Sequence, residues 1–134
     1  MAYARRESVT ITTAADGSAT AYLPSAAQVA LGVPPLSGKV ITLIYTKDDF
    51  TNGVDFTITA EASGETLWTE SDVNASKTVA PRQATHSTVG VATLYAAGGA
   101  AVLDHIVLAN DRVKIVLAAG GNATSGTFTV LIGD

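Results

Sequence analysis

Val54-Asp55-Phe56-Thr57-Ile58-Thr59-Ala60-Glu61-Ala62 alternates apolar and polar side chains without a break. A period of two is that of a β-strand with one buried face, and it puts Val54, Phe56, Ile58, Ala60 and Ala62 on that face. The same alternation recurs at Val9 and Ile11, at Val113, Ile115 and Leu117, and at Phe128, Val130 and Ile132. Val40 to Tyr45 is nearly all apolar and rich in branched side chains, as expected of a strand inside a sheet. Turn chemistry separates these runs: Asn52-Gly53, Ser63-Gly64, Asn110-Asp111 and the stretch from Gly120-Gly121 to Gly126. Asp16-Gly17, between Ile11 and Tyr22, reads as a hairpin. About eight or nine strands with such frequent turns predict an all-β fold, an antiparallel β-sandwich that is jelly-roll-like. Helix is expected only as a short turn near residues 25–31, where Ser25 caps Ala26 to Leu31 and Gly32 stops it. The reading is one domain, 1–134, with a short N-terminal arm at about 1–6.

The chain has 134 residues, a net charge of −4 and no cysteine. Apolar residues make up 47% and charged residues only 15%, where an ordinary domain carries roughly a quarter charged. An acidic balance without a basic stripe argues against a nucleic-acid partner. Gly17 to Gly38, Gln83 to Leu103 and Ile115 to Gly133 carry no charge. Each is interrupted by proline or glycine, so none reads as a membrane helix, and no membrane partner is expected. The start has two arginines but no apolar run after them, which is not the pattern of a signal peptide.

Tests for chemistry turn out weak. Gly32-Val-Pro-Pro-Leu-Ser-Gly38-Lys39 has its glycines one residue too far apart for a phosphate loop, and Val40 stands where a hydroxyl is needed. Asp48, Asp49 and Asp55 cluster, but Phe50 and Thr59 occupy ligand positions of the calcium-loop pattern. His86 and His105 are the two histidines, too few and too separated for a usual metal set. Glu61, Glu65 and Glu70 suit outward strand positions better than paired acid–base work. We therefore expect no enzyme, no cofactor and no metal. Trp68, with Tyr45 and Tyr95, is the candidate aromatic contact of a sugar-stacking platform; a core or interface place is the plainer expectation for a single Trp.

From Trp68 onward a more specific pattern emerges. It runs through Asn74-Ala-Ser-Lys-Thr-Val-Ala-Pro81-Arg82-Gln83, Gly90, Ile106-Val-Leu-Ala-Asn-Asp-Arg112-Val-Lys-Ile-Val116, Gly120-Gly121 and Gly126-Thr-Phe-Thr-Val130. This resembles the capsid cement, or decoration, proteins of tailed bacteriophages, over roughly the C-terminal half. The resemblance implies a jelly roll or related sandwich without enzymatic activity. It implies many copies on the outer surface of an icosahedral virion, made in the host bacterial cytoplasm. Its implied partners are the major capsid protein of the same phage and a second copy of the chain, a homodimer in preference to a trimer. Tyr3, Arg5 and Arg6 of the arm, and Pro34 and Pro35 of a stiff loop, are the candidate contacts. Other expectations are a phage tail or head-fibre component, and a carbohydrate-binding adhesion module using Trp68.

Overall fold

The computed structural model describes residues 4–134. Tyr3, one of the candidate contacts, lies outside them. The strands are β1 (Ala4–Thr12), β2 (Ala19–Leu23), β3 (Leu36–Lys47), β4 (Val54–Ala60), β5 (Thr66–Val73), β6 (Lys77–Val79), β7 (Arg82–Ala84), β8 (Leu103–His105), β9 (Val107–Asp111), β10 (Val113–Ala118) and β11 (Ser125–Gly133). One sheet runs β1-β11-β3-β6, with β9 also on β3, and the other β2-β10-β4-β5. Every pairing within them is antiparallel. With β6 and β9 taken as one strand, the two orders are 1-8-3-6 and 2-7-4-5, which is the jelly-roll topology.

The alternation over 54–60 survives intact: Val54, Phe56, Ile58 and Ala60 are buried and the residues between them are half-exposed. Glu61 and Ala62, expected to continue that strand, belong to the turn into β5. The helical turn is α1 (Ala26–Ala30), with Ser25 and Gln28 forming a reciprocal capping box. Asp16-Gly17 is not a hairpin. β1 pairs with β11 and β2 with β10, so this turn carries the chain from one sheet to the other. Its residues bend the backbone, but they do not select the strand that follows.

The two sheets close on an aromatic centre. Tyr45 of β3 lies 5.1 Å from Phe128 of β11 and 5.4 Å from Phe56 of β4. Trp68 of β5 meets Phe56 edge-on at 4.7 Å. The Tyr45 hydroxyl is buried and has no hydrogen-bond partner among the described residues. Burial first, and Asp48 second, push this phenol above its ordinary pKa. An unpartnered buried hydroxyl carries its desolvation cost without return, about 1–3 kcal/mol. Tyr45→Phe is therefore expected to leave stability unchanged or raise it by up to about 1 kcal/mol. Equilibrium urea unfolding measures this, and a loss above that size would mean the hydroxyl is satisfied in solution.

The second Greek-key edge has an interruption. β6 pairs with Leu43 to Tyr45, and β9 pairs with Leu36 to Lys39, both antiparallel to the same β3. The Val40 N–H donates to the Ile106 carbonyl at 2.8 Å, so the β9 side extends one step further. Residues 80–105, lying between these two pieces of one edge strand, leave the sheet altogether.

Candidate functional site

The excursion is built as a β-finger. At its base β7 and β8 pair antiparallel, Arg82 opposite His105 and Ala84 opposite Leu103. Above this the chain splits into two tight turns. His86 bridges Ala92 around a turn in which Gly90 donates to the Ser87 carbonyl at 2.9 Å, with φ of 79° at Gly90. Leu94 bridges Ala101 around a second turn, where Gly99 donates to the Ala96 carbonyl at 2.8 Å. Thr85 ties the prongs together: its N–H and hydroxyl both donate to the Val102 carbonyl, and its own carbonyl accepts from Thr93. The finger is tied by hydrogen bonds among its own residues and contributes nothing to the core, since no residue from 80 to 105 is buried.

Its surface is apolar and uncharged. Val89 is 82% exposed, Tyr95 75%, Val91 63% and Leu103 55%. No charged residue lies between Arg82 and Asp104. Charge returns only at the base, where the backbone N–H and then the ring of His105 hold the Asp104 carboxyl below its usual range. Irregular or projecting segments of this length in compact domains are mostly functional or disordered, and this one is ordered by its own hydrogen bonds.

The sequence-predicted contacts fall elsewhere. Arg5 is not part of a free arm: it sits in β1 opposite Ile132. Its guanidinium donates to Glu7 at 2.7 Å, to the Pro35 carbonyl at 3.1 Å and to the Pro34 carbonyl at 2.9 Å. Arg5, Pro34 and Pro35 are thus brought together, but as an internal staple that occupies the arginine. Arg6 is exposed in the same strand, and both proline rings remain exposed. Trp68 lies at the edge of the core. It is 8% exposed, packed on Phe56, and its indole N–H donates to Glu70 at 2.8 Å. Tyr45 is fully buried and Tyr95 stands on the finger, so the three aromatics do not share a face.

Other polar groups serve the fold. Asp49 caps the Ser125 N–H, and Asp55 caps that of Asp72. Glu61 and Arg112 form a two-bond pair at 2.6 and 3.0 Å, with the guanidinium 4.2 Å from the Tyr22 ring centre. That pair, together with buried Asp111, lines a shallow groove with Val29, Val33 and Pro35. Asp111 already accepts from the N–H groups of Ala62 and Arg112. Among the described residues, no three His, Cys, Asp or Glu side chains gather as a metal site would need. No described helix is long and apolar enough to cross a membrane.

Of the finger's exposed apolar residues, sequence reasoning singled out only Tyr95, and that as part of a sugar platform with Trp68 and Tyr45. The available signal was the charge-free stretch Gln83 to Leu103, weighed above only as a membrane segment. No protein-family model and no curated protein matches the chain. Among solved structures it is similar to the crystal structure of FLHE, at 13% identity over 98% of this chain and 96% of that one, with a TM-score of 0.44. So loose a likeness assigns no activity.

Proposed function

We propose that this protein is a structural virion subunit: a capsid cement protein that binds the outside of an icosahedral phage head. It acts there as a homodimer bridging neighbouring major capsid subunits. The observation that carries this reading is the finger, an ordered, charge-free apolar element held off the core, because interface centres are depleted of charge. The pattern from Trp68 to Val130 supplies the virion context by resemblance. The physical logic is that of a clamp. Genome pressure pushes the shell outward, and a subunit lying across a boundary resists because its contacts must break first. Once one arm of a dimer is bound, the other is held near its site at high effective concentration, so moderate contacts per arm suffice.

The test is to add the purified protein to shells of the parent phage that lack it. Electron microscopy is expected to show it on the outer head surface, and decorated shells are expected to release their DNA at a higher temperature. Bare heads with density on the tail would replace this reading with that of a tail component. Against a sugar-binding reading stands the burial of Trp68 and Tyr45, which leaves Tyr95 without aromatic neighbours.

A further inference from the structure

Asn52-Gly53 turns the chain from β3 into β4. Gly53 has a φ of +91°, so the turn calls for a glycine there. That glycine leaves the backbone nitrogen after Asn52 uncrowded by a Cβ. Asn74 and Asn122 are followed by alanine and Asn110 by aspartate, so the other asparagines lack this feature. An asparagine with an open backbone nitrogen after it can cyclise. The Gly53 nitrogen attacks Asn52 Cγ, an N–C bond forms, and the Cγ–Nδ2 bond breaks. The side-chain nitrogen leaves as ammonia with the proton that Gly53 gives up. Water then opens the succinimide at either carbonyl, leaving aspartate or isoaspartate.

The electrophile is already polarised. The Lys47 ammonium donates to Asn52 Oδ1, the oxygen on which negative charge gathers during the attack. The nucleophile is held back. The Gly53 N–H donates to Asn74 Oδ1 at 2.7 Å and to the Val73 carbonyl at 3.3 Å. Both acceptors are neutral oxygens that stabilise the N–H rather than the deprotonated nitrogen that attacks. The loop is fastened a second time, where the Lys47 N–H donates to the Ser76 hydroxyl at 2.9 Å and the Lys47 ammonium to the Asn74 carbonyl at 3.1 Å. Asp16-Gly17 is the comparison. Hydrogen bonds from the Ser18 hydroxyl and then the Ser18 N–H hold the Asp16 carboxyl below its usual pKa. An ionised carboxylate is a poor electrophile, so this second step into glycine is slow at neutral pH.

We propose that Asn52 is a self-modification site gated by the Asn74 side chain: an amide while Asn74 holds the Gly53 N–H, and aspartate or isoaspartate once that contact opens. Such openings are local and do not require the core to unfold. The product adds a carboxylate to a chain that already carries −4 and sets it against Lys47. Isoaspartate also puts a methylene into the backbone ahead of Gly53. That moves the Gly53 N–H off Asn74 and unties the β3–β4 loop from the β5–β6 turn. Loss of ammonia makes the change one-way. The site stands independently of the cement reading.

The test follows the amide-to-acid mass gain in the peptide carrying Asn52, with the whole protein incubated at neutral pH. Native protein is expected to convert at least roughly tenfold more slowly than the same chain unfolded in guanidinium, since two hydrogen bonds hold Gly53. Asn74→Ala should speed conversion of the folded protein roughly fivefold, the worth of one net hydrogen bond. Asn74→Asp keeps an oxygen acceptor and should stay near the native rate. Leu23→Ala empties a buried site at the far end of the β2-β10-β4 sheet and weakens the whole fold. It should leave the rate unchanged. Native conversion as fast as unfolded, an unaltered rate in folded Asn74→Ala, or acceleration by Asn74→Asp or Leu23→Ala equal to that of Asn74→Ala would each overturn the proposal.

Discussion

Gly38→Ala is expected to lower the melting temperature by roughly 10–20 °C, at about 3–5 °C per kcal/mol for a domain of this size. Gly38 has a φ of +127°, a region that side-chain-bearing residues rarely enter. It lies on β3 opposite Leu108 of β9, at a register shift, and next to Lys39, which faces Gly133 of β11. A Cβ there would sit 2.5 Å from the Gly133 carbonyl oxygen. That oxygen belongs to a strand paired on both sides, so relief requires moving backbone. A strained φ costs about 1–3 kcal/mol and forced overpacking a similar amount, together roughly 3–5 kcal/mol. Gly64→Ala is the control: its φ is +75°, but nothing lies within 4 Å of the added carbon. It should lose only the backbone term, about 1–2 kcal/mol. Equal small losses at both positions, measured by calorimetry, would show that the β3–β11 junction yields where the geometry says it cannot. The same glycine opens the question of Gly32 to Lys39: close packing of three strands explains it without a phosphate.

Local signals were legible wherever one residue's environment decides its place. Val54 to Ala60 alternates because its two faces meet core and solvent, and Ser25 caps because its hydroxyl reaches the Gln28 N–H three residues on. Long-range pairing was not legible. Asp16-Gly17 announces a bend, but whether Ala19 to Leu23 pairs with β1 or crosses to β10 depends on residues about ninety positions away. Arg5 finding the Pro34 and Pro35 carbonyls is the same case at shorter range. Trp68 was harder for a different reason. The β4–β5 register shifts between Ile58 and Thr59, so that Leu67 and Trp68, neighbours in sequence, are both buried. A bulge breaks the period of two that a strand reading depends on. The finger was least legible of all. With no buried face it has no reason to alternate, and its one signature was the missing charge.

Phe56→Ala is expected to cost about 3–5 kcal/mol, the range for emptying a buried phenylalanine site. Phe56 is 2% exposed and sits where the sheets meet. Its ring is edge-on to Trp68 at 4.7 Å and to Phe128 at 5.2 Å, and tilted against Tyr45 at 5.4 Å. Tyr45 and Phe128 come from the opposite sheet, so one substitution removes both filling and the contacts that hold the sheets together. Rigid rings on three sides leave little room for collapse, which puts the cost toward the upper end. Against a total of about 5–15 kcal/mol, that is a large share. Val116→Ala, at an exposed position of β10, should cost less than about 0.5 kcal/mol.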